Sequence, residues 1–388
     1  MDASGFIARR LRFKGKTAMV SIAVSYLVMI LAVAVSSGFR REIRNGVSTV
    51  CGDVQLTSAD MNYINEDSPV SSNPPSLESI LKMPEVNGVA PVVYRAGIVK
   101  NEDNIHGVLF KGLPDRDDLD DLGISIPTKL ADLLGLSEGD DLLAYFVGER
   151  VKMRKFHIRS TYRSMVDADD RLIIHASMED LQRLNGWEAD EVSALEISLG
   201  DKFRKGRRLE DTSEEIGTRA LLYAGTYDDV LVATSAVAKY PQLFDWLDLI
   251  DFNALFILIL MTIVAGFNMI SGLLILLFQN ISTIGILKSM GMTDKSIAAT
   301  FIKVSSNLVL KGMAVGNAVA LLFCAVQGAT HFIRLNPDNY FISFVPVHVN
   351  LPVILVADAL SYLVIMLLLL LPSLFISKVD PAQTVRAQ

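Results

Sequence analysis

Residues 17–38 read TAMVSIAVSYLVMILAVAVSSG, an apolar run with no charged residue, and the cationic stretch FRREIRN at 39–45 follows it directly. A bilayer core of about 30 Å takes roughly 20 apolar residues as an α-helix. This run is long enough to cross one. Three further runs qualify, at 252–278, 304–327 and 352–376, all in the last third of the chain. Residues 39–251 between the first and second runs are far too many for a loop, and they carry short alternating segments and glycine-closed helical patterns. The layout predicts a membrane protein of four transmembrane α-helices with a large α+β domain inserted between helices 1 and 2.

Charge sets the expected orientation, because cytoplasmic segments hold an excess of Lys and Arg close to span ends. Residues 1–16 carry Arg9, Arg10, Arg12, Lys14 and Lys16 against Asp2. Segment 279–303 carries Lys288, Lys295 and Lys303 against Asp294, and the tail 377–388 carries Lys378 and Arg386 against Asp380. These three segments are expected in the cytoplasm, which puts the domain at 39–251 and the loop at 328–351 in the periplasm. Arg40, Arg41 and Arg44 run against this trend, which long translocated domains tolerate. A secretory signal is the competing reading of the first run. Its length, and the charged helical continuation without a small-residue cleavage site, favour an uncleaved anchor.

The chain's net charge of −7 hides a split: residues 39–250 hold 24 Lys and Arg against 37 Asp and Glu, a net of −13 that leaves +6 for the remainder. Basic membrane ends suit anionic lipid, whereas an acidic head argues against nucleic acid as a partner. Cys51 and Cys324 are the only cysteines, one in the head and one in a span, so no disulfide framework is expected. Within the head, strands are expected near 53–58, 88–98, 105–111, 154–162, 171–175, 192–199 and 229–234, with a loop over 65–75. Helices are expected at 76–83, in IPTKLADLLGL ending at Gly135, in SMEDLQRLNG ending at Gly186, and at 203–219. An inserted subdomain is expected near 123–200.

Searching for chemistry returns no active site. Gly15-Lys16-Thr17 lacks the first glycine of a phosphate loop, because Arg10 stands there. The five histidines are scattered, with no HExxH or CxxC spacing to assemble a metal site, and no GxSxG nucleophile turn occurs. Paired acids such as Asp117-Asp118 and Asp169-Asp170 read as solvated turns. The chain is expected to be no enzyme and to hold no metal or cofactor of its own.

Four features carry functional expectations. Ile281 to Met290 reads as a short cytoplasmic helix stopped by Gly291, with Thr293 opening the next helix; it is either a docking helix for a peripheral motor or a helix lying at the membrane interface. Phe256, Leu260, Ile263 and Phe267 recur at spacings of four, three and four, which puts a bulky apolar stripe on one face of the second span. That stripe is lipid-facing, packed, or a wall for acyl chains. Gly312 and Gly316 form GxxxG, a helix-packing face within or between subunits. Lys311 and Asp358 are ionisable groups inside spans, each costing roughly 2.5–3.5 kcal/mol at the bilayer centre. They lie on opposite sides of the midplane, and Lys311 is expected to snorkel.

Several stretches resemble the FtsX-like ABC transporter permeases, and most closely those of the Lol lipoprotein-releasing complex: VSIAVSYLVMILAVAVSSGFRREIR at 20–44, NMISGLLILL at 268–277, IGILKSMGMTDKSI at 284–297, YFISFVPVHVN at 340–350 and VDPAQTVRAQ at 379–388. IPTKLADLLGLSEGDDL at 126–142 and LIIHASMEDLQRLNG at 172–186 are similar to the family's periplasmic domain. The resemblance implies a permease in the bacterial inner membrane that pairs with a second permease, a copy or a paralogue. It also implies two copies of a separate ATPase, which would bind the ATP and Mg and grip the cytoplasmic helix through Gly285, Ile286, Lys288, Met290 and Gly291. The implied cargo is a lipidated protein, drawn from the membrane and passed to a periplasmic carrier. An efflux permease working with a periplasmic adaptor, or a non-transporting regulator that drives a periplasmic enzyme, are the alternatives.

Two departures from the family pattern stand out. The cytoplasmic helix opens on Gln279-Asn280-Ile281-Ser282-Thr283, where the family commonly has charged residues. The link between the expected strands 142–147 and 151–162 is only Gly148-Glu149-Arg150, which leaves no room for the long hairpin that docks a carrier in the best-known Lol permease.

Overall fold

A computed structural model describes residues 16–373 apart from 60–63, 65, 67, 103, 115, 149, 164–171, 205, 226–229, 337–339 and 341. The N-terminal segment up to residue 15, the end of the fourth apolar run and the tail 377–388 therefore lie outside the described residues. The chain opens with α1 (Lys16–Cys51). The head follows with β1 (Val54–Ser58), β2 (Val70–Ser71), α2 (Leu77–Leu81), β3 (Val86–Asn101), β4 (Asn104–Leu113), β5 (Gly123–Pro127), α3 (Thr128–Leu134), β6 (Asp141–Phe146), β7 (Lys152–Tyr162) and β8 (Leu172–Ser177). It continues with α4 (Met178–Asn185), β9 (Glu191–Val192), β10 (Ala194–Leu199), α5 (Arg207–Leu222), β11 (Leu231–Ser235) and α6 (Ala236–Lys239). Then come α7 (Pro241–Gln279), α8 (Ile281–Ser289), α9 (Asp294–Thr330), α10 (Leu351–Leu368) and α11 (Leu370–Ser373).

Two compact units result, one of residues 1–41, 246–334 and 344–388, the other of 42–245 and 335–343. Among the described residues, four helical segments are long and apolar enough to cross a membrane: α1, α7, α9 and α10 with α11. Each of the first three runs past the apolar stretch that announces it. The amphipathic WLDLIDF at 246–252 belongs to α7, which begins on Pro241 and continues unbroken for 39 residues. Proline suits that first turn because its missing N–H has no intrahelical partner there.

The head is built around one long strand. The first half of β3 pairs with β10, which pairs with β1 and then β11, making an outer sheet. Its second half pairs with β4 from Val93 to Asn101. The order continues β4-β8-β5-β7-β6, and β6 returns to β3 through Ile98–Lys100 against Leu143–Tyr145. Those six strands close on themselves, and closure removes the exposed edges an open sheet would leave. Phe110, Phe146 and Phe156 fill the interior with ring centroids 5.0 to 6.1 Å apart. Gly97 makes room for them, since a Cβ there would stand 3.0 Å from Phe146 and 3.2 Å from Phe110.

The inserted subdomain expected near 123–200 differs from the observed pairing at both ends. β4, before residue 123, belongs to the closed sheet, and β10, before residue 200, belongs to the outer one. Gly135 and Gly186 close α3 and α4 in the left-handed conformation that favours glycine. Within the expected loop 65–75, Val70–Ser71 pairs with β9 instead. β6 and β7 are joined by residues 147–151 alone.

The end of α1 is fixed within the head by a buried cation. A helix C-terminus leaves its last carbonyls without intrahelical partners. Lys111 Nζ donates to Val50 O at 2.8 Å and Thr49 O at 3.2 Å, and pairs with Glu196 at 2.9 Å. The Tyr94 hydroxyl bonds Glu196 as well, while Asp53, just past the helix, takes Arg204 at 2.8 Å.

Candidate functional site

The short helix between the second and third spans forms where the sequence puts it, but its faces are distributed differently. α8 ends before Gly291, whose φ of +89° provides the left-handed stop, and Thr293 caps α9 by accepting from the Ser296 N–H. Ile284 and Gly285 are buried. Ile286 and Met290 face outward at 50% and 77% exposure. Gly285 was expected on the motor-facing side and lies instead on the packed side. Lys288 is drawn across the turn to Asp294 at 2.8 Å, with its side chain 11% exposed. Its charge is thus engaged in holding α8 against the start of α9. What α8 presents outward is an apolar pair, Ile286 and Met290, beside Thr283 and Ser289.

The stripe on α7 is uncovered. Phe256, Leu260, Ile263 and Phe267 are 59%, 44%, 42% and 64% exposed. At 3.6 residues per turn they fall about half a turn away from Ala265, Met269, Leu273 and Leu276. Those four are at most 1% exposed and form the face that packs into the bundle.

Gly312 and Gly316 resolve the alternative left open by the motif. A Cβ at Gly312 would stand 2.8 Å from Ile22 Cγ2, and one at Gly316 would collide with the Ala23 carbonyl oxygen and approach Tyr26 Cβ to 2.9 Å. The face packs α9 against α1 of the same chain, and Ala320, one turn on, continues it against Ile30. Two other contact glycines carry no spacing signal: Gly266 meets Leu368, and Gly38 meets the Pro346 carbonyl.

The bundle interior is more polar than the hydropathy suggests. Asn317 Nδ2 donates to Asp358 at 2.5 Å, Asn268 to Ser21 Oγ at 2.5 Å, Thr262 pairs with Ser361 at 3.1 Å and Ser306 with Tyr362 at 2.7 Å. Such bonds join helices where lipid offers no partner. Asp358 is buried and Lys311 exposed, and the two are not paired. The sequence signal for this network was the recurrence of Ser, Thr and Asn inside apolar runs.

Among the described residues no group of three His, Cys, Asp or Glu side chains could hold a metal ion. Cys51 and Cys324 are buried and unbridged, and burial pushes the Cys51 thiol up to about 11.

Residues 255–381 match the family model described as FtsX-like permease C-terminal. They form an FtsX-like permease domain. This permease domain holds the α7 stripe, α8 and the glycine face alike. The whole chain is similar to the lipoprotein-releasing system transmembrane protein LolC of Xylella fastidiosa strain 9a5c, 19% identical over 416 residues that cover 99% of this chain and 95% of that one. It is also similar to LolE of Haemophilus influenzae, 22% identical over 414 residues covering 95% and 93%. Among solved structures, the periplasmic region of MacB from Actinobacillus actinomycetemcomitans aligns at 9% identity and a TM-score of 0.32 over 50% of this chain and 95% of that one. The extracellular domain of the noncanonic ABC-type transporter YknZ aligns at 12% and 0.30 over 47% and 99%.

Proposed function

We propose that the chain is the permease subunit of an ABC transporter in the bacterial inner membrane, with its head in the periplasm. Driven by ATP hydrolysed on a separate subunit, it draws lipidated proteins out of the bilayer and passes them toward a periplasmic carrier. The observation that carries this reading is coverage: the likeness to LolC and LolE runs through head and bundle together, over 95–99% of the chain. A permease domain alone would leave the cargo open.

The division of labour follows from the faces. Two copies of the ATP-binding subunit grip the outward side of α8 through Ile286 and Met290, while Gly285, Lys288, Asp294 and Gly291 set that helix's angle from behind. The α7 stripe, facing a second permease copy or paralogue, lines the shelter for acyl chains, each CH₂ of which costs about 0.8 kcal/mol when exposed to water. α1 relays motion to the head, because its last turn is bound to the sheet by Lys111. The motor contact is tested by copurification: Ile286→Glu and Met290→Glu are each expected to cut recovery of the ATP-binding subunit severalfold without altering the amount of chain in the membrane. Full recovery with the double variant would show that the motor binds elsewhere.

A further inference from the structure

Arg40, Arg41 and Arg44 follow the first apolar run on the side where the charge trend disfavours them. Arg40 has its counter-charge inside the protein: its guanidinium pairs with Asp248 at 2.9 Å and with Asp251, which also accepts from Ser36 Oγ. Arg41 differs. It is exposed, and among the described residues no carboxylate lies within ion-pair distance of it. Its Nη1 donates to His348 Nδ1 at 3.0 Å.

The histidine is held from behind. Its backbone N–H donates to Ala34 O at 3.0 Å. Gly38 lets residues 346–347 close on α1, because a Cβ there would collide with the Pro346 carbonyl and stand 2.9 Å from Val347 N. The imidazole therefore fixes one arm of a guanidinium on a side chain that is otherwise exposed. Depth is set by the sequence: Arg41 lies three residues beyond Gly38, roughly 5 Å outside the apolar run at 1.5 Å per residue. His348 lies three residues before α10 begins at Leu351. Phe39, two residues before Arg41, forms an edge-to-face pair with Trp246 at a centroid distance of 5.7 Å, tryptophan being an aromatic residue type enriched at a membrane–water interface.

We propose that Arg41, oriented by His348, binds the phosphodiester of a phospholipid in the leaflet at this end of the bundle. A guanidinium offers a planar fork that matches two phosphate oxygens, and at headgroup depth a lipid phosphodiester is the acceptor present at the highest concentration. Arg40, with two carboxylates, takes no part. The site anchors the junction of α1 and the 345–350 loop to the lipid and is independent of the cargo.

The test uses the full chain in detergent, with native mass spectrometry reading the lipids retained after adding phosphatidylglycerol, or diacylglycerol of the same acyl chains. Arg41→Gln is expected to weaken the tightest phosphatidylglycerol about fivefold, the equivalent of one interfacial cation's contribution. His348→Ala should weaken it less, and Arg41→Lys should keep part of the binding by keeping the charge without the fork. Diacylglycerol retention should be unchanged in all three. Unaltered phosphatidylglycerol retention in both Arg41→Gln and His348→Ala overturns the proposal, and so does parallel loss of diacylglycerol. Displacement of the lipid by millimolar inorganic phosphate would assign the site to free phosphate and remove the lipid from it.

Discussion

Adding one methyl group at Gly316 separates two opposing effects whose sizes are known. In an open helix interior, Gly to Ala stabilises by up to about 1 kcal/mol, because alanine loses less backbone entropy. At Gly316 the new Cβ would run into the Ala23 carbonyl oxygen and stand 2.9 Å from Tyr26 Cβ; at Gly312 it would stand 2.8 Å from Ile22 Cγ2 and 3.1 Å from Met19 O. Backbone atoms and a β-branched side chain have no rotamer by which to withdraw. α1 and α9 must move apart, and overpacking of this kind costs about 1–3 kcal/mol. The clash outweighs the propensity gain, so Gly312→Ala and Gly316→Ala should each lower stability by about 1 to 2 kcal/mol, and Gly316→Val by more. Ala314 and Ala318 lie on the exposed face of the same helix, and their replacement by Val should change stability by less than about 0.5 kcal/mol. Unfolding of the purified chain in mixed micelles measures all five. A Gly316→Ala variant as stable as its parent would refute the packing of α9 on α1.

Burial holds His175 down to about 4, with Lys111 and Arg116 adding repulsion, while its ring stacks on Tyr162 at 4.6 Å. The unfolded chain binds this proton near pH 6.5 and the folded one near 4, so stability is full above 6.5 and falls as pH drops through that window, by up to about 3 kcal/mol. His175→Gln should flatten the fall between pH 6.5 and 4; an unchanged profile would place the sensitive group elsewhere. Single cysteines at Ser71 and Ser289, in a chain lacking Cys51 and Cys324, should be labelled by an impermeant thiol reagent in intact spheroplasts only at Ser71. Equal labelling at both would overturn the four-span arrangement, and labelling at Ser289 alone would reverse the proposed orientation of the head.

The parts legible in the sequence were those encoded by local period. An apolar run of some twenty residues is sufficient for a span, and Gly135, Gly186 and Gly291 mark their helix ends because each takes a positive φ there. The spacing of Gly312 and Gly316 announced a packing face, though only the neighbouring Ile22 and Ala23 reveal which helix it meets. Closure of the head's six strands was not legible, since it depends on β3 meeting β6 some 45 residues later through a three-residue register that no local pattern announces. The direction of α8 was missed for a related reason. ISTIGILKSM is apolar on both faces, so periodicity could not tell that Ile284 and Gly285 turn inward while Ile286 and Met290 stay outside. Gly38 and Gly266 escaped notice because a single glycine touching a distant backbone or side chain has no spacing to give it away.

Release of a fluorescent lipoprotein from proteoliposomes tests the transport claim most directly. The chain would be reconstituted with the ATP-binding subunit and second permease proposed as its partners, and release to a soluble carrier followed with and without ATP. Parent complex should release lipoprotein only with ATP, whereas Phe256→Asp and Ile263→Asp, on the exposed stripe of α7, should block release while basal ATP turnover continues. ATP turnover without any lipoprotein release from the parent complex, or undiminished release from both charged variants, would contradict it.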